Sequence, residues 1–176
     1  DIAREKPASI FDNSFMKMLK TAHDNYGMKT QLNIFFKTDN FYGNDEFSLK
    51  EMPDCYKEEF INASDWLRFG FHARQEFPDY PHINSTYKDI YDIFKAIEGE
   101  VFRFAGEKSF TYGTCPHWVP VSKEGVKALY DCGVRLLDVT VGETREYDGD
   151  PASLPYGHAL RLLNNRQPET KVFTRG

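Results

Sequence analysis

His72 and Glu76 stand four positions apart at the end of an apolar run, and His82 follows in the same stretch, LRFGFHARQEFPDYPH, residues 67–82. Imidazole nitrogens and carboxylate oxygens are the usual ligands of a hydrolytic metal site, which needs a few of them and one open position for water. The spacing of His72 and Glu76 can supply two ligands from one strand and its following loop. His82 can replace Glu76 if the loop bearing Pro78 and Pro81 folds back. A second group, Cys115, His117 and Trp118, lies in GTCPHW. Cys115 and His117 have no matching second pair for a structural zinc site. Asp138 sits inside an apolar segment, where a carboxylate needs a partner or a role. Each group also has an ordinary reading: a histidine at a strand exit often only satisfies its own loop, and a tryptophan beside a proline often only packs.

The elements that must position these residues follow from periodicity. Residues 14–27 read as an amphipathic helix with Phe15, Met18, Leu19, Ala22 and Tyr26 on one face, capped by Asn13 or Ser14 and ended by Gly27. Residues 29–37 read as a strand, 38–53 as a polar loop, 54–64 as a short helix and 66–72 as the next strand. A long helix over 84–106 carries Ile90, Ile93, Phe94, Ile97, Val101 and Phe104 as its stripe, with Gly106 closing it. A strand over 108–114, a loop over 115–120, a helix over 123–132 capped by Ser122 and ended by Gly133, and an apolar strand over 134–141 complete the pattern. The tail beyond Gly142 reads as loop, with a short helix or turn near His158 to Leu163.

Alternation of this kind predicts an α/β fold, parallel strands joined by right-handed helical crossovers, over a single domain of residues 1–176. Ligands of such sheets bind at the carboxyl ends of the strands. Thr38 and Asp39, His72 and Glu76, Cys115, His117 and Trp118, and Glu143 all fall on that rim. His23 and His158 do not, and neither is assigned a role.

The composition narrows the function. Hydrophobic residues are 40%, charged residues 28%, aromatic residues 15%, and the net charge is −5. No basic patch with interleaved aromatics is present, which argues against nucleic acid. No apolar run approaches the length of a membrane span. Cys55, Cys115 and Cys132 are odd in number and lack a CxxC spacing, which favours a reducing, cytoplasmic compartment.

The segment FGFHARQEFPDYPH resembles the second motif of the polysaccharide deacetylase family, the NodB-homology domain of carbohydrate esterase family 4. That motif is a strand ending in His, then Ser or Thr, two residues and a second His, both histidines binding the metal. His72 matches the first histidine, Ala73 stands at the Ser or Thr position, and Glu76 stands at the second histidine. PASIFDNSFMKMLKTAHDNYGMKTQLNIFF resembles the helix and strand after the family's first motif. CPHWVPVSKEGVKALYDCGVRLLDV resembles the region of its third motif, without that motif's arginine.

The resemblance implies part of a distorted (β/α) barrel and a hydrolase that removes acetyl groups from N- or O-acetylated carbohydrate with a divalent metal, zinc or a similar ion. It implies His72 as a metal ligand with Glu76 or His82 as the second, and His117 and Trp118 as walls of a carbohydrate groove. The family's catalytic Asp-Asp pair and its terminal Leu-x-His are expected before Asp1 and after Gly176. The chain is then expected to be the middle of such a domain, inactive alone, and the family is often exported. The alternative expectation is a non-catalytic carbohydrate-binding relative of the same fold, and a further one is an unrelated α/β domain without metal.

Overall fold

Asn13 begins the first long helix as the sequence predicts. In a computed structural model that describes residues 2–39, 46–78 and 80–138, its side-chain oxygen accepts from the N–H groups of Phe15 and Met16. A short helix, α1 (Ile2–Glu5), and a single 3-10 turn at Ile10–Asp12 precede it. The helix itself, α2 (Ser14–Tyr26), ends at Gly27, whose φ of 68° is the left-handed conformation that a side chain penalises.

The buried stripe of α2 differs from the expected one. Met16 and Leu19 are buried, whereas Phe15, Met18 and Tyr26 are exposed. The helix is turned so that His23 joins the inward face, its ring stacked on Trp66 at 4.5 Å and its Nδ1 2.9 Å from the Met28 carbonyl. An aromatic surface next to a helix end can absorb an imidazole as readily as an aliphatic chain, and hydropathy patterns miss this.

Next come β1 (Thr30–Phe35), β2 (Lys37–Thr38) and β3 (Phe47–Ser48), the last two an antiparallel pair that runs from the end of the expected strand into the segment expected to be loop. Then follow α3 (Lys57–Ala63), β4 (Leu67–Ala73) and α4 (Tyr87–Phe104). The expected stripe of α4 is buried in full. Its one polar addition is Glu98, which accepts from Tyr112 Oη and Lys95 Nζ. Thr86 caps α4 in a reciprocal box: its hydroxyl accepts from Asp89 N–H, and its own N–H donates to the Asp89 carboxylate. Thr86→Ala is expected to lower stability by about 1 kcal/mol, read as a shift of the urea midpoint; no shift would show the box to be energetically idle.

The last elements among the described residues are β5 (Gly113–Thr114), α5 (Lys123–Asp131) and β6 (Leu136–Leu137). Ser122 caps α5 by accepting from Gly125 N–H. Most of the third expected strand is shortened, because Glu107–Ser109 forms a 3-10 turn held by Ser109, whose hydroxyl contacts the carbonyls of Phe60 and Ala105. The fourth expected strand continues past Asp138, and that part, with Glu143 and residues 158–163, lies outside the described residues.

β1 pairs parallel with β4, and β5 parallel with β6. Phe69 and Phe110 form a parallel bridge, and Thr111 N–H donates to the Phe69 carbonyl, so the segment entering β5 lies beside β4. The protein is therefore mixed α/β, with parallel strands adjacent in the order of the main strands along the chain. No closed barrel is formed among the described residues.

Leu67, Phe69 and Phe71 point to the helical layer, where Phe69 meets Phe60 and Phe104 edge to face and Phe71 meets Phe94. The opposite face is polar. Gln31 Nε2 donates to Asn33 Oδ1 at 2.6 Å and to the Gly113 carbonyl at 2.9 Å. These amides cross directly over Gly70, where a Cβ would stand 2.7 Å from Asn33 Oδ1. A side chain at position 70 would displace these amide ends and crowd the Gly113 carbonyl, 3.1 Å from that Cβ. No described helix is long and apolar enough to cross a membrane.

Candidate functional site

His72 is placed by a break in the β1–β4 ladder. Ile34 pairs with Phe71 but Phe35 pairs with Ala73, so His72 has no partner across the ladder and bulges at the carboxyl end of β4. Its Nδ1 lies 2.5 Å from the Cys115 carbonyl. Its own carbonyl accepts from the His117 N–H at 3.2 Å. β5 lies beside β4, so the residues that leave the two strands become neighbours, and the His72 and His117 rings meet with centroids 4.8 Å apart.

The contacts of the two rings determine their protonation. His117 Nδ1 is 3.0 Å from His72 Nε2, and His117 Nε2 is 2.9 Å from the Glu76 carbonyl. A carbonyl can only accept, so His72 carries its proton on Nδ1 and His117 on Nε2. Each neutral imidazole has one N–H, and both are now used. Two lone pairs are left facing each other at 3.0 Å, a repulsive contact unless a proton or a cation lies between them.

Burial holds His72 below the usual imidazole pKa and the charge of His117 pushes the same way, opposed by the Cys115 carbonyl and by Glu76. Phe35 covers the pair edge-on, at 4.9 Å from His72 and 5.0 Å from His117.

The other expected residues are distributed around this pair. The Glu76 carboxylate lies 3.7 Å from His117 Nε2, on the side away from His72, and its side chain is 52% exposed. His82 is buried, only 3% exposed, with Nε2 3.0 Å from the His72 carbonyl. Burial depresses its pKa to about 4, so near neutral pH it is an uncharged N–H donor. Trp118 packs on Tyr80 at 5.4 Å and on His117 at 5.7 Å. Its indole Nε1 is buried without a hydrogen-bond partner among the described residues.

Trp118 and Val119 have φ of 57° and 77°, a conformation that costs a residue with a side chain about 1–3 kcal/mol and that gathers at ligand-binding loops. Burial raises the pKa of the Cys115 thiol, and Asp138 adds to the rise. Asp39 is engaged by Lys37 at 2.8 Å. Among the described residues no cluster of three or more His, Cys, Asp or Glu side chains is arranged to hold a metal ion.

The sequence pattern reaches His72 and His117 separately and misses their pairing. The available signal is strand order: exits of adjacent parallel strands share one rim. Comparison with family models, curated proteins and solved structures found no match to this chain.

Proposed function

We propose that this chain carries part of the metal-binding rim of a carbohydrate deacetylase-type hydrolase, built on a NodB-like distorted (β/α) barrel. The observation that carries the reading is the approach of His72 Nε2 and His117 Nδ1 to 3.0 Å, with the other nitrogen of each ring against a backbone carbonyl. Nitrogens this close can both reach one zinc ion at the usual ~2.0–2.1 Å. His72 and His117 would hold the ion, and the Cys115 and Glu76 carbonyls keep both rings in the ligating tautomer. A divalent ion bound there supplies a Lewis acid toward an acetamide carbonyl and makes a bound water more acidic. Phe35 shields one side of the pair from water. The half-buried Trp118 ring, backed by buried Tyr80 at 5.4 Å, would form one aromatic wall beside the pair. Base and acid roles are assigned to no residue of this chain.

A second reading, a carbohydrate-binding relative without catalysis, is favoured by one observation: Glu76 contacts the far nitrogen of His117 rather than the gap between the rings, so among the described residues no third ligand joins the pair. Calorimetric titration with zinc, followed by N-acetylated chito-oligosaccharide, separates the two. One saturable zinc site is expected, weakened about tenfold or more by His72→Ala and by His117→Ala. Absence of zinc binding in the unaltered protein overturns the metal reading, and oligosaccharide binding without zinc then supports the second.

A further inference from the structure

We propose that His82 is a positioning residue that sets the spacing of the His72–His117 pair, not a ligand of it. The inference rests on the reading of that pair as a cation site. The carbonyl of His72 is a shared acceptor: it takes the main-chain N–H of His117 at 3.2 Å and the side-chain Nε2–H of His82 at 3.0 Å. One oxygen thus ties the end of β4 to the loop that carries His117 and to the loop that carries His82.

His82 is itself fixed from both sides. Its carbonyl accepts from Ser122 N–H at 2.9 Å and from Ser85 N–H at 3.3 Å, and the Ser122 hydroxyl donates to the Ser85 carbonyl. Its ring packs on Phe71 with centroids 5.5 Å apart, and Phe71 faces the helical layer. The start of α5, the 80–85 turn and the bulge of β4 are thereby joined through one buried side chain. Ladder hydrogen bonds to β1 cannot do this at His72, because the register breaks there. His82 replaces the missing rung, and it reaches His72 from the helical side while the two ligating nitrogens lie on the rim.

The role differs from a general packing role in one respect: it needs a donor, not merely a ring. His82→Phe keeps an aromatic ring against Phe71 and loses the N–H. His82→Gln keeps an N–H donor and loses the ring.

The experiment measures zinc affinity by calorimetry and the ring 15N resonances of His72, His82 and His117 by NMR, in the unaltered protein and both variants. The expected result is a loss of about 10–100-fold in zinc affinity for His82→Phe, the range seen for outer-shell partners, with most of it restored in His82→Gln. In metal-free protein, His82→Phe is expected to shift the His72 and His117 ring nitrogens and His82→Gln to leave them near their original positions.

Equal affinities and unchanged shifts in a folded His82→Phe overturn the proposal. So does a zinc-induced coordination shift on the His82 nitrogens of the unaltered protein, which would make His82 a ligand. If the unaltered protein binds no zinc, the reading of the site fails, and the metal-free shifts still decide the positioning role. If His82→Phe does not fold, the tautomer of His82 in the unaltered protein decides: a proton on Nε2 supports the donor role, and a proton on Nδ1 alone overturns it.

Discussion

Phe94→Ala is expected to lower the unfolding free energy by about 3–5 kcal/mol, the cost of removing a large buried aromatic and leaving a cavity. Phe94 is fully buried at the centre of α4. Its ring lies 5.5 Å from Phe71, 5.6 Å from Phe110 and 6.3 Å from Tyr112, centroid to centroid. It therefore touches both β4 and the segment entering β5 from a single position on α4. These are rigid aromatic contacts on several sides, which refill a space poorly. A loss of that size is a large part of the roughly 5–15 kcal/mol that stabilises an ordinary domain. Urea denaturation reads it as a lower midpoint at unchanged slope. Tyr26→Ala is the control, since Tyr26 is 85% exposed, and a change within about 0.5 kcal/mol is expected there. A loss below about 1 kcal/mol for Phe94→Ala would refute this account of the core.

The second large effect is acid destabilisation of the metal-free protein. Burial lowers the pKa of His82 from 6.5 to about 4. The unfolded chain therefore binds a proton between those values that the folded chain refuses, and folding stability must rise with pH across the window. The neutral ring contributes its full stability above about pH 6.5, and that contribution is lost as the pH falls through about 4. Its size is about 3 kcal/mol, from roughly 1.4 kcal/mol for each unit. The charges of His117 and His72 push His82 the same way, and the His72 carbonyl opposes them. The lowered pKa of His72 adds loss of the same sign. Chemical denaturation in the presence of a chelator, repeated from pH 7 to pH 4, measures the slope. His82→Gln has no imidazole at this position and is expected to flatten it, while paired carboxylates contribute equally to both proteins. Identical slopes would show that His82 titrates normally and is not held neutral by the fold.

Much of the architecture is legible in the sequence, for a physical reason. The stripe of α4 repeats apolar residues at helical spacing, and no other period buries Ile90, Phe94, Ile97, Val101 and Phe104 together. Caps are local chemistry: Asn13 and Ser122 each satisfy the first free N–H groups of their own helix. The alternation of helices and strands led to parallel strands for the same reason, since each crossover needs a helix to return. The inward face of α2 was misread because an imidazole stacked on Trp66 replaces an aliphatic contact, and hydropathy does not record stacking. The β2–β3 pair was missed because each strand is two residues long, too short for an alternating pattern to show.

For the candidate site, the order of strands and loops along the chain puts imidazoles and carboxylates at strand exits on one rim. It also placed His72 at the end of an apolar strand. How they combine depends on the packing of the strands. The break in register at Phe35 turns His72, the adjacency of β4 and β5 brings His117 to it, and two carbonyls from distant loops settle which nitrogens keep their protons. The same break leaves a carbonyl for the buried His82. Spacing along a chain fixes which residues share an element. The orientation of a ring, and the lone pair it has left to offer, depends on acceptors that come from elsewhere in the fold.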